Sequence, residues 1–212
     1  KLANTLSERI DHKIEIERVN IKWFDLAEIE NVTVYDTAQN VMIDLQSAKI
    51  DYQIKSLFFE KEVIIDYIEV IEPRVDMTWY QGNKTMNLNM FIASVRSLIT
   101  PKKKKVKKIK PIRILSGSIV NGSYKFDNKN KGLLGHQGFD HFHFRLDSIY
   151  GDIANLYIYK DTVELFGQHI QAYYAHSDFK VHDLNTHFRY TKHSLEFHEI
   201  DTKVGNSYLK DD

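Results

Sequence analysis

The sequence predicts a mainly β protein of ten or more strands, and three observations carry that reading. Apolar and polar residues alternate at period two along most of the chain, the mark of half-buried strands. The links between the alternating runs are short and rich in Asn, Asp and Gly, turn chemistry that suits antiparallel neighbours. Helical spacing interrupts the runs only twice, so a βαβ architecture is excluded and an all-β sheet, barrel or elongated sheet remains.

Residues 2–11 open the chain with Leu2, Leu6 and Ile10 on one stripe of a short helix. The first strand spans 13–22. There Ile14 and Ile16 are out of phase with Val19, Ile21 and Trp23, and a bulge near Glu17–Arg18 would restore one inner face. A run over 31–36 follows, then 48–54, which sets Ala48, Ile50, Tyr52 and Ile54 against Lys49, Asp51 and Gln53. After a run at 62–71, segment 74–80 sets Val75, Met77 and Trp79 against Arg74, Asp76 and Thr78.

Residues 89–99 change period. Phe91, Ile92, Val95, Leu98 and Ile99 have helical spacing, Asn87 or Asn89 can cap the start, and Pro101 stops the helix. Alternation returns at 119–126, and at 141–146, where Phe142, Phe144 and Leu146 face away from His141, His143 and Arg145. Runs at 153–159, 163–174, 178–190 and 194–200 complete the set. The turns are expected at Asp36–Asn40, Gln81–Lys84, Asn121-Gly122 and Asp127–Lys131.

One biased stretch divides the chain into a segment over 1–100, a linker over 101–110 and a continuing β segment over 111–212. Its Lys102, Lys103, Lys104, Lys105, Lys107 and Lys108 read as a solvated linker. They also suit an anionic membrane surface, where each basic residue contributes roughly 1 kcal/mol. Nucleic acid is not expected as a partner. No aromatic residues interleave with the lysines, and 29 Lys plus Arg balance 29 Asp plus Glu. With 42% hydrophobic and 27% charged residues among 212, the chain has the composition of a folded protein. No apolar run approaches the roughly 18 residues of a membrane span. Lys1 and Asp211-Asp212 read as edges of a longer protein, so a missing leader or anchor carries no weight.

Motifs for chemistry are sparse. His136, His141 and His143 with Asp140 come nearest to a metal set, since His141 and His143 share a strand face. The polar face of a half-buried strand looks the same, and neither a third ligand at suitable spacing nor a cysteine is present. No metal or cofactor is expected. Dinucleotide and P-loop glycine patterns, nucleophile elbows and His-Glu-x-x-His are all missing. The sequence reads as non-enzymatic.

The stretch KIEIERVNIKWFDLAEIENVTVYD over 13–36 resembles the start of AsmA/TamB-type periplasmic proteins. SAKIDYQIKSLF (47–58) and VIIDYIEVIEPRVDM (63–77) are similar to that family's paired strands. Asn87-Leu88-Asn89 before a helix, the lysine-rich linker, KPIRILSGSIVNGSYKF (110–126) and Phe139-Asp140-His141 continue the order, so the resemblance spans about 1–155. It implies an elongated, curved antiparallel β-sheet, a U-shaped groove with an apolar interior, anchored in the inner membrane by a helix before Lys1. It further implies phospholipid as cargo, movement of that lipid across the periplasm, a TamA-like outer-membrane barrel as partner, and a part in outer-membrane protein assembly. Ala48, Ile50, Tyr52, Val75, Met77, Trp79, Phe142 and Phe144 are the candidate interior residues. The same residues could pack as an ordinary core. A scaffold that docks envelope proteins through sheet edges is the alternative function.

Overall fold

The structure is a computed structural model that describes residues 12–22, 25–99, 110–134, 140–160, 162–174, 176, 178–191, 194–205 and 207–211. The helix expected over 2–11, the lysine run and His136 lie outside the described residues.

Alternation becomes strand nearly everywhere. The strands are β1 (Ile14–Lys22), β2 (Leu26–Tyr35), β3 (Val41–Tyr52), β4 (Val63–Ile71), β5 (Arg74–Trp79) and β6 (Ile112–Asn128). They continue as β7 (His143–Tyr159), β8 (Thr162–Tyr174), β9 (Phe179–Tyr190), β10 (Leu195–Val204) and β11 (Ser207–Lys210). Among the described residues two helices interrupt them, α1 (Ile54–Phe58) and α2 (Asn87–Ile99). All eleven strands form one sheet, in the order β1-β2-β3-β4-β6-β7-β8-β9-β10-β11, with β5 pairing β3 and β6.

The sheet is mixed, not antiparallel throughout. β6 runs parallel to both β4 and β5, because the chain returns from Trp79 to Ile112 by way of α2, the long crossover that a parallel pair requires. One β–α–β unit therefore exists where none was expected. Val63↔Ile112 and Trp79↔Asn128 keep one offset, so β4 and β5 form a single line broken at Glu72-Pro73. Asn121-Gly122, expected to be a turn, lies inside β6.

Left-handed residues explain why an expected turn and separately read runs fall inside single strands. In a strand such a residue reverses which face the next side chains take, so a continuous strand reads as two runs out of phase. Ser148 (φ 50°) and Asn155 (φ 51°) do this twice in β7. Phe144 and Leu146, then Ile149 and Ile153, then Leu156 and Ile158 all reach one side, and the runs at 141–146 and 153–159 are one strand. His169 (φ 52°) and Glu199 (φ 53°) break phase in β8 and β10.

The bulge expected near Glu17–Arg18 does not occur. β1 and β2 keep one register from Ile14↔Val34 to Lys22↔Leu26, because β2 breaks phase at the matching place, Asn31 (φ 50°). The Asn31 amide donates to the carboxylate of Glu17 opposite it, which secures both halves of the break.

Helix α2 starts at Asn87, whose Oδ1 accepts the Leu88 and Thr78 amides at 2.8 and 2.9 Å. Its Nδ2 donates to the Asp76 carbonyl at 3.0 Å. One side-chain amide thus stands in for the partner strand where β3 has ended. Helix α1 replaces strand at the end of 47–58. Lys110 Nζ donates to the Ser56 and Leu57 carbonyls at 3.1 Å each, satisfying the open end of this short helix.

Candidate functional site

Directly opposed residues in neighbouring strands share a face. Following the registers therefore traces the apolar side of the whole sheet. One row runs Ile14–Val34–Ile43–Val75–Tyr124–Leu146 from β1 to β7. The next runs Val19–Ile29–Ala48–Val70–Ile119–Gly151. A third begins Ile21–Ala27–Ile50–Ile68–Gly117–Ile153, and β8 and β9 extend it with Gly167 and Thr186.

Nothing resembling a second sheet faces these rows among the described residues. Among the described residues, Val34, Met42, Ala48, Ile114 and Tyr174 are the buried hydrophobic ones, and apart from Val34 and Ala48 the row members are mostly half-buried. An apolar face this long and this lightly covered is the main candidate for function.

Glycines thin the face where bulky residues converge. A Cβ on Gly117 would lie 2.7 Å from Ile68 Cγ2 and 2.8 Å from the Ile68 carbonyl oxygen. One on Gly167 would lie 2.5 Å from Ile170 Cδ1, and one on Gly151 2.9 Å from Ile170 Cγ1. The isoleucines lie across the glycines; at Gly117 the Ile68 backbone itself leaves no room for a side chain, whereas at Gly167 the end of the Ile170 side chain would have to move.

The eight candidate interior residues separate by position. Ala48 is buried and Ile50 half-buried, both on the rows. Tyr52 ends β3 after a register shift, beside a cleft of about 310 Å³ that also holds Asp51, Gln53 and Asp66. Val75 and Met77 oppose Tyr124 and Phe126 of β6, and the Tyr124 hydroxyl points to Met77 Sδ at 3.8 Å. Burial pushes the Tyr124 hydroxyl pKa up. Phe144 completes this cluster, 5.7 Å from the rings of both Tyr124 and Phe126. Trp79 ends β5 and donates Nε1–H to the Asn83 carbonyl at 2.7 Å.

Phe142 lies in the turn before β7, not in the strand, with its ring 4.0 Å from that of His141. Near this end a cleft of about 350 Å³ is lined by Phe126, Leu133, Phe144 and Tyr174 with Lys125, Arg145 and His176.

The polar clusters are turn locks. Asp36 is 1% exposed and its carboxylate accepts the Ala38 and Asn40 amides at 2.9 Å, Tyr80 Oη–H at 2.5 Å and Asn87 Nδ2–H at 3.3 Å. Burial and that hydrogen bond push the Tyr80 pKa to about 12, so the phenol stays a donor. The Asp140 carboxylate accepts the Leu134, Phe142 and His143 amides. Burial opposes its ionisation, but these bonds and His143 hold its pKa below the usual value. His143 bonds Asp140 through Nδ1 at 3.2 Å and the Asn128 carbonyl through Nε2 at 3.1 Å. With both ring nitrogens engaged, His143 is occupied as a fastener. No group of three or more metal-ligating side chains converges among the described residues.

Alternation gives no hint of the α1 tip, where Phe58 and Phe59 are 69% and 86% exposed. The signal available for it is the unbroken apolar triplet Leu57-Phe58-Phe59 followed by charge. No family model and no curated protein matches the chain.

Proposed function

We propose that this chain is a non-enzymatic, periplasmic segment of an envelope-spanning protein, and that its apolar sheet face binds or conducts phospholipid acyl chains. The single observation that supports this most is the set of largely apolar rows with no second sheet facing them among the described residues. An acyl chain needs a continuous hydrocarbon surface and no specific hydrogen bonds, and burying apolar area against it supplies about 25 cal/mol per Å². The left-handed phase breaks and the glycines under Ile68 and Ile170 are devices that bend sheets, as a U-shaped groove requires. The AsmA/TamB resemblance supplies the phospholipid, the direction across the periplasm, the TamA-like partner and the link to outer-membrane assembly.

A scaffold role is the second reading. It is favoured by β1, an edge strand on which Val19 and Ile21 are 42% and 63% exposed. Arg18–Glu30 and Lys22–Glu28 ion pairs hold charge along that edge, which discourages indiscriminate pairing.

Native mass spectrometry of protein purified from cells separates the two. Co-purifying phospholipid supports the lipid reading; lipid-free protein that captures an extended peptide along β1 supports the scaffold.

A further inference from the structure

The cleft of about 350 Å³ sits where β7 outruns its neighbour. β7 begins at His143, but its pairing with β8 begins only at Asp147↔Tyr173, and β8 ends at Tyr174. Residues 143–145 therefore border no strand on that side among the described residues, and the cleft takes its lining from both faces of the sheet. Phe126 and Phe144 come from the apolar face, two residues beyond Tyr124 and Leu146. Lys125, Asp127 and Arg145 alternate to the polar face.

The polar lining leaves two charges unmatched. Lys125 lies opposite Arg145 on β7 and opposite Asp76 on β5. Asp76 is taken by Arg74 through bonds of 3.1 and 2.7 Å, and Arg145 donates to Asp147 at 2.8 Å. Half-buried Lys125 is left with no ion-pair partner among the described residues. Asp127, also half-buried, meets only His143 Nε2 at 3.8 Å, and both nitrogens of that ring already serve Asp140 and the Asn128 carbonyl. An ammonium and a carboxylate thus stand two residues apart, roughly 7 Å along one strand, and do not pair. Each is partly desolvated without a counter-charge. With Arg145 and Asp147 cancelling, the cleft offers one cation and one acid beside Phe126, Phe144 and the buried Tyr174.

We propose that this cleft seats the headgroup of a zwitterionic phospholipid. The phosphate meets Lys125 and Arg145, the ammonium meets Asp127, and the acyl chains pass over Phe126 and Phe144 onto the apolar rows. The proposal rests on the lipid reading of the apolar face and adds the headgroup class to it. An anionic headgroup without an ammonium would leave Asp127 facing a like charge, whereas a zwitterion complements both unmatched groups.

The test gives the 212-residue chain vesicles of equal parts phosphatidylethanolamine and phosphatidylglycerol with matched acyl chains. Lipid recovered with the re-isolated protein is then quantified by mass spectrometry. The parent should retain phosphatidylethanolamine over phosphatidylglycerol by several-fold. Asp127→Asn should shift that ratio toward phosphatidylglycerol, and Lys125→Gln should shift it the other way. Each replacement removes one charge without adding bulk, thermal unfolding checks that the fold is kept, and either variant alone reads the preference. A parent ratio near one, or variants that leave the ratio unmoved or move it in the same direction, overturns the headgroup seat while the bound lipid still upholds the apolar face. No lipid on the parent overturns both readings.

Discussion

Glu72 and Asn121 sit opposite each other at the break between β4 and β5 and the middle of β6, both left-handed, at φ 52° and 56°. The Asn121 amide reaches the Glu72 carboxylate at 3.4 Å, and the Glu72 amide donates to the Val120 carbonyl at 2.8 Å. Two adjacent strands therefore reverse phase at the same level, and their apolar residues stay on one side of the sheet. At β1 and β2 Asn31 alone of the opposed pair is left-handed, and its amide donates to the carboxylate of Glu17.

Glutamate pays for this backbone and glycine does not. Glu72→Gly should leave stability unchanged or slightly raised, whereas Glu72→Val should cost about 1–2 kcal/mol. Chemical denaturation with an unchanged slope reads the difference.

Gly117 has no room for a side chain beside Ile68. Gly117→Val should destabilise by about 1–3 kcal/mol through overpacking. The companion change Ile68→Ala in the same chain should recover part of that loss in thermal unfolding.

Tyr80 supplies an alkaline limit. Its folded pKa, about 12 against the ordinary 10.0, means that the folded state holds this proton more tightly than the unfolded chain. Its contribution is complete below pH 10 and disappears as pH rises toward about 12. Melting temperature across that interval should fall less steeply in Tyr80→Phe. At neutral pH the same variant should cost about 1–3 kcal/mol, because the buried Asp36 carboxylate loses a donor.

A single charge on the apolar face should separate lipid binding from folding. Ile50→Glu and Met77→Glu replace half-buried residues, and the proposed groove lets the new carboxylate reach solvent. Both variants should keep a cooperative unfolding transition while phospholipid recovered per mole of protein drops several-fold. Loss of the transition would mark an ordinary core.

The sequence made the strand content legible wherever alternation runs unbroken, as through Ala48 and Ile50 or Val75 and Met77. It misled where a left-handed residue resets the phase. Asn121-Gly122 carries the same local chemistry as a hairpin turn, and only pairing with Glu72 on a parallel neighbour keeps it inside a strand. Ser148 and Asn155 likewise made one strand look like two. The parallel pairing of β4 and β5 with β6 depends on contacts about fifty residues apart, which period and turn chemistry do not encode. Of the polar residues, Asp36, Tyr80 and Asn87 reveal their common purpose only when the fold brings them together.

Photo-crosslinking in cells tests the lipid reading most directly. A photoreactive residue placed at Ile50, on the apolar rows, or at Met77, which opposes Phe126 beside them, is compared with one at Lys49 or Asp76, which alternate to the other side. The account predicts phospholipid adducts from the first pair and none from the second. Equal labelling at all four positions, or none at any, would contradict it.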